Sequence, residues 1–186
     1  MSNMKQVFAD TLIEMLESKT LNTITITDIV NKCGVSRQAF YYYFNDIYDL
    51  IEWYLKGATE KALDEYSNIE SWQTGYIRIM QWARKNRNLI MNLYHSIQRE
   101  YIEVFMYRVL YGYIIKVVYR EAEGMNVTEE QCAAVAQFYT LSINANSLEW
   151  IKEGMKVEPK IMAEKVNFMI EGDFKKALLK FQEMNK

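Results

Sequence analysis

Apolar residues return every three or four positions along most of this chain, which is the period of a helix face. Residues 4–18 show it first, with Phe8, Leu12, Met15 and Leu16 on one side of an amphipathic helix. The next segment, TLNTITITDIV, breaks the period, and Ile24 and Ile26 read as an extended connection. Thr27 reads as the N-cap of a short helix reaching Lys32, with Asp28 favouring its positive first turn. Gly34 can end that helix in a left-handed conformation. Ser36 then caps a second short helix, SRQAFYYYF. Asn45 or Asp46 caps a longer one that runs through Ile51, Trp53, Tyr54 and Leu55 towards Tyr66. Helical spacing continues near 70–86, 88–95, 96–122, 128–152 and 159–184, with Gly124, Gly154 and Pro159 at the later boundaries and Gly172-Asp173 placed to break the last helix in two.

Composition narrows the class. One proline and seven glycines in 186 residues leave little material for the turns of a β-rich fold, while 50% apolar and 14% aromatic residues supply a sizeable core. An all-α protein is expected. The formal net charge of −2 means that any nucleic-acid contact comes from a local surface, not from the bulk field. Cys33 and Cys132 are too few and too isolated for a disulfide framework or metal cluster, and read as reduced thiols of a cytoplasmic protein. The acidic, amphipathic start does not suit a signal peptide. No apolar run reaches the roughly 20 residues of a membrane span.

Enzyme chemistry finds little footing. His95 is the only histidine, and its neighbour Ser96 cannot face it on a helix. His95 therefore reads as a surface or helix-end residue. No Gly-rich phosphate loop, HExxH or CxxC is present, so neither cofactor nor catalytic residue is expected. Arg84, Lys85 and Arg87 in RKNRN read as a solvated helix terminus.

A short helix, a turn containing glycine and a second short helix form helix-turn-helix geometry. At about 100° per residue, Ser36, Ala39, Phe40 and Tyr43 share one side of the second helix and can pack on Ile29, Val30 and Val35. Arg37, Gln38, Tyr41 and Tyr42 share the other. That set suits the major groove: Arg37 can offer two donors to guanine or a phosphate, and Gln38 can pair with adenine. Tyr41 and Tyr42 can give hydroxyls to phosphates or lay rings on thymine methyls. The local pattern admits equally a small helical hairpin whose tyrosines sit half-buried against neighbours.

The stretch ITITDIVNKCGVSRQAFYYYFNDIYDLIEW resembles the DNA-binding signature of TetR-family transcription regulators. It has the threonine-led helix, the G-V-S turn, the aromatic run ending in Phe44, and Leu50 six residues later. The run FYYYFNDIYDLIEW is most similar to a Firmicutes-type branch that includes regulators linked to dihydroxyacetone kinase genes. The resemblance implies a TetR-like fold, with an N-terminal three-helix helix-turn-helix DNA-binding domain (1–46) and a larger helical effector-sensing and dimerisation domain (47–186). It implies a ligand-responsive repressor that binds a palindromic operator in double-stranded DNA as a homodimer. Arg37, Gln38, Tyr41 and Tyr42 would contact DNA, and Thr27 a phosphate, with Ser36 at the head of the recognition helix. One departure stands out: many members carry a lysine three residues after the phenylalanine, and this chain has Ile47. Residues 1–56 hold five basic side chains (Lys5, Lys19, Lys32, Arg37, Lys56) against seven acidic ones, so affinity per protomer is modest and depends on dimerisation.

The later helices carry apolar residues on two sides. On the helix near 128–152, Cys132, Ala136, Tyr139, Ile143 and Trp150 form one stripe, and Ala134, Phe138, Leu141, Ala145 and Leu148 lie roughly opposite. The second stripe is covered either by the chain's own last helix or by a copy across a two-fold axis. The resemblance implies the copy, with Phe138, Leu141, Ala145 and Leu148 in a four-helix interface. On the helix near 96–122, Arg108 interrupts a seam of Ile97, Tyr101, Val104, Tyr111, Ile115 and Tyr119. A buried guanidinium needs an anion, either a carboxylate from another helix or an acidic effector. Trp72, Tyr76, Ile79 and Met80 on the 70–86 helix could form a facing wall, which makes Trp72, Tyr76, Met80, Tyr101 and Arg108 the candidate contacts for a small organic effector. The same aromatic and Met stripes also fit plain core, and a helical adaptor that binds a partner protein without any ligand remains the alternative.

Overall fold

The structure is a computed structural model and describes residues 4–64, 72–96 and 100–185, without the side chains of 62–64 and 72. Every regular element among these residues is helical: α1 (Met4–Leu16), α2 (Ile26–Cys33), α3 (Arg37–Tyr43), α4 (Ile47–Asp64), α5 (Trp72–Lys85), α6 (Arg87–Tyr94), α7 (Glu100–Glu121), α8 (Glu129–Lys152), α9 (Pro159–Ile170) and α10 (Asp173–Met184), with one 3-10 turn at Leu21–Thr23. The expected all-α class holds. Tyr66 and Ile97 lie outside the described residues.

The helices gather into two units, each made of two chain segments. The first joins Met1–Ser67 to Trp82–Ile102, and the second joins Asn68–Gln81 to Glu103–Lys186. α1 is the axis of the first unit. Phe8, Leu12 and Leu16, one turn apart, are fully buried, and α2, α4 and α6 pack around them. Phe8 meets Phe40 of α3 edge-on, with ring centroids 5.3 Å apart. The carbonyl of Leu16, left without an intrahelical partner at the end of α1, accepts a 2.6 Å hydrogen bond from Asn92 Nδ2 of α6.

The start of α2 differs from the sequence expectation. Ile26 is its first residue and not part of an extended connection, and the cap is Thr25 instead of Thr27. Three threonines compete in TITITD, and the spacing to Asp28 decides among them. Thr25 Oγ1 accepts from Asp28 N (3.1 Å) while Asp28 Oδ2 accepts from Thr25 N (2.9 Å), a reciprocal box. Hydrogen bonds from the Thr25 hydroxyl and then its backbone hold the Asp28 carboxyl below its ordinary range.

Gly34 ends α2 at φ 68°, and the N–H of Val35 bonds back to Val30 O at 3.0 Å. A Cβ built on Gly34 meets nothing within 4 Å. Gly34→Ala is therefore expected to be destabilising by about 1–2 kcal/mol through the left-handed backbone alone, read as a lower urea midpoint at unchanged slope; an unchanged midpoint would show that the turn relaxes. At α4, Asp46 proves to be the cap, accepting from the backbones of Tyr48 and Asp49 at 2.8 Å each.

In the second unit, α8 buries Cys132, Ala136, Ile143 and Trp150 of the first stripe read from sequence and half-buries its Tyr139. Trp150 Nε1 donates to Val157 O at 2.8 Å and closes the loop into α9. Gly172, at φ 74°, separates α9 from α10, so the last helix is broken where expected. α10 returns onto α8, with Phe174 edge-on to Tyr139 at 4.8 Å. α7 departs from expectation. Its buried residues are Ile102, Leu110, Ile114 and Val118, whereas Tyr101, Val104 and Tyr119 of the supposed seam are 46–48% exposed. Arg108 is exposed too. An exposed guanidinium is not a buried charge, so the argument that one there demands an anion does not apply.

Candidate nucleic-acid interface

α3 is short, and its orientation is fixed by three devices. Ser36 Oγ accepts from Ala39 N at 3.3 Å and starts the helix. Gly34 sets the angle of the turn before it. Phe40, fully buried between Phe8 and Phe44, fixes its rotation. Ala39 and Tyr43 are half-buried beside Phe40. The remaining face then has to point outward, and Arg37, Gln38, Tyr41 and Tyr42 are all exposed, Tyr42 by 81%. Tyr42 is not packed against neighbours, whereas Tyr41 keeps about half of its surface covered, at 49% exposure.

Within this face Arg37 and Tyr41 are already engaged. Arg37 Nη2 donates to Tyr41 Oη at 3.2 Å, and its guanidinium carbon lies 5.9 Å from that ring's centroid. The pair narrows the range of the long arginine side chain without burying its charge. Thr27 is exposed in the first turn of α2, and because Thr25 caps that helix, the Thr27 hydroxyl is not engaged as the cap. Three other cations of this region have close neighbours. Lys32 Nζ lies 2.8 Å from Glu14, Lys5 sits over the rings of Phe44 and Trp53 at 5.5 and 6.0 Å, and Lys56 is 4.0 Å from Glu60. Arg37 is the cation that the outward face of α3 presents.

The candidate effector residues divide between the units. In the second, Tyr76 and Met80 are buried on α5, and Tyr76 shares a 2.8 Å hydrogen bond with Ser147 of α8. The side chain of Trp72 lies outside the description. In the first unit, Tyr101 stacks on Tyr48 of α4, ring centroids 4.4 Å apart and planes at 10°.

The second stripe of α8 is displayed, not covered by the chain's own last helix. Phe138 is 69% and Leu141 53% exposed; Ala134 and Ala145 are exposed and Leu148 is half-buried. Sequence reasoning missed the matching surface of α9, where Ile161, Phe168 and Met169 are 58%, 84% and 51% exposed. The apolar run NFMI held the signal: only its Ile170 is needed inside. His95 is exposed at the end of α6 and Ser96 donates to Leu93 O at 2.7 Å, so the two do not form a nucleophile–base pair.

Comparison with known proteins agrees with this geometry. Residues 10–53 match the family model described as bacterial regulatory proteins, tetR family, and residues 70–172 match one described as a transcriptional regulator C-terminal region. The HTH-type dhaKLM operon transcriptional activator DhaS of Lactococcus lactis subsp. lactis is 20% identical over 83 residues, which span 45% of this chain and only 44% of that protein. Among solved structures, a dihydroxyacetone kinase operon activator DhaS superposes with a TM-score of 0.70 at 16% identity, covering 94% of this chain and 98% of its own. A tetR-family transcriptional regulator from Streptomyces coelicolor gives 0.56 at 14% identity, covering 99% and 88%. At these identities the structural likeness is one of fold.

Proposed function

The chain belongs to the TetR family of bacterial regulatory proteins, DNA-binding transcription regulators, and on that premise we propose that it acts in the cytoplasm as a homodimeric, ligand-responsive repressor of a palindromic operator. Residues 1–46 bind DNA and 47–186 sense and dimerise. The observation that carries the reading is the outward face of α3, where Arg37, Gln38, Tyr41 and Tyr42 are exposed together on a helix whose rotation is fixed by buried Phe40. Arg37 and Gln38 read base edges, Tyr41 and Tyr42 reach methyls or phosphates, and Thr27 and Ser36 meet the backbone.

Dimerisation is supported by the apolar residues that α8 and α9 leave exposed, which a two-fold partner would cover over on the order of 1,500 Å². Two recognition helices would then lie about 34–36 Å apart, or a small multiple of that. The effector reading rests on the second unit, with Trp72, Tyr76 and Met80 on α5 as its wall. Tyr101 is not carried into it, since its ring is taken by Tyr48, nor is Arg108, which is exposed. No helix among the described residues is long and apolar enough to cross a membrane.

Selection of duplexes from a random library tests the DNA reading. Enrichment of an inverted repeat is expected, and enrichment of no sequence would overturn it. A second reading, activation, is favoured by the likeness to the DhaS proteins, which are operon activators. Transcription in vitro from a template carrying the selected site separates the two signs: added protein lowers transcript for a repressor and raises it for an activator.

A further inference from the structure

α8 turns three polar side chains into the second unit, Thr140, Asn144 and Ser147, at the i, i+4, i+7 spacing of one helix stripe. Thr140 and Ser147 are fully buried and Asn144 is 8% exposed. Most of their donors are engaged. Thr140 Oγ1 donates to Ala136 O at 2.7 Å, and Ser147 Oγ donates to Ile143 O at 2.8 Å. With the Ser147 proton directed there, Tyr76 is the donor in the 2.8 Å bond between their hydroxyls. Burial raises the Tyr76 phenol above its ordinary pKa, which keeps it protonated. Asn144 Nδ2 donates to Glu103 O at 3.3 Å, a contact that fixes the amide's orientation because the flipped form would set two oxygens together.

Two acceptors remain. Asn144 Oδ1 and Gln73 Oε1 are both buried and accept no hydrogen bond. Gln73 Nε2 is itself engaged, donating to Asn167 Oδ1. Each orphan lies one turn from an end of the Tyr76–Ser147 bond, Gln73 three residues before Tyr76 and Asn144 three before Ser147, so both share the helix faces that this bond joins. Buried carbonyl oxygens without donors are uncommon and costly.

We infer that this stripe receives a small uncharged ligand rich in hydroxyl or N–H donors, with Asn144 Oδ1 and Gln73 Oε1 as its acceptors. The inference rests on the ligand-responsive reading above and assigns the ligand class. A carboxylate or phosphate would meet lone pairs. Arg78, whose Nε is also buried, starts two residues beyond Tyr76, about 200° around α5, so its side chain leaves on the opposite side of the helix from the Tyr76–Ser147 bond. A cation would lack a counter-charge, since no carboxylate is buried among the described residues.

Titration calorimetry of the full chain with glycerol, erythritol and xylitol, and with glycerate and glycerol phosphate as charged counterparts, tests it. Saturable binding of a neutral polyol is expected, weakened by at least about tenfold in Asn144→Leu and in Gln73→Met. Apo melting temperatures should change little, because relief of each buried carbonyl offsets the lost bond to Glu103 O or Asn167 Oδ1. No saturable polyol binding, equal binding by both variants, or tighter binding of the anions would overturn the assignment. Operator affinity measured alongside distinguishes the two layers. Polyol binding that leaves operator affinity unchanged supports the site and removes the effector reading, whereas anions that bind and release DNA keep that reading and remove the ligand class.

Discussion

Arg37→Ala and Tyr42→Ala should each weaken operator binding by about 1–3 kcal/mol per half-site. A two-fold dimer carries the change in both half-sites, so the loss is about 2–6 kcal/mol, roughly 30-fold at its smallest. Neither substitution should touch stability. Tyr42 is 81% exposed, and Arg37 contacts Tyr41, its own neighbour on α3. Tyr41→Phe is informative beside them: it removes the hydroxyl that accepts from Arg37, freeing the guanidinium to sample more rotamers while keeping the ring. Thr27→Ala should behave differently, lowering affinity for all duplexes alike, since a phosphate contact positions without reading sequence. Fluorescence anisotropy on the selected site and on a scrambled duplex measures both patterns. Full affinity in both the Arg37 and Tyr42 variants would sink the recognition-helix assignment.

The second large effect concerns the exposed face of α8 and α9. Truncating a buried interface aromatic costs about 2 kcal/mol where it is a hot spot. In an isologous interface each change occurs twice. Phe138→Ala or Phe168→Ala is therefore expected to raise the dimer dissociation constant by about 4 kcal/mol, on the order of a thousandfold. Both side chains are more than two-thirds exposed in the single chain, so the protomer should fold as before. Sedimentation equilibrium reads the change, and circular dichroism checks the helices. Operator affinity should fall with dimerisation, because a lone protomer holds one half-site. A wild-type chain that stays monomeric at micromolar concentration would remove both the interface and palindromic recognition.

Much of this was legible because helical periodicity and turn chemistry point the same way. In α3, Phe40 and the Arg37/Gln38/Tyr41/Tyr42 face separate cleanly by angle, and the structure keeps that separation. On α8 both stripes were legible, and so was the question of what covers the second. α7 was harder for a physical reason: it is apolar almost all round, so its period does not single out a buried side. The seam containing Tyr101 and Arg108 was chosen where Ile102, Leu110, Ile114 and Val118 are the buried set. The cap of α2 failed on a finer scale. Asp28 was placed in the first turn, but the reciprocal bond that selects Thr25 depends on backbone geometry. The polar stripe on α8 was hidden because Thr140, Asn144 and Ser147 look like ordinary surface polar residues until their neighbours are known.

The first unit's two-segment make-up bears on how such proteins can be recombined. Its core is assembled from Met1–Ser67 and Trp82–Ile102, and the end of α1 is closed by Asn92, far along the chain. A chimera that exchanges only the first 46 residues between relatives would strip α1 of α4 and α6 and leave Leu16 without its partner. A graft with a working DNA head has to carry both segments as a pair, with the host retaining 68–81 between them. Single-crossover shuffling at the helix-turn-helix should yield aggregating chains, whereas double-crossover libraries that respect these seams should yield folded regulators with exchanged operator preference.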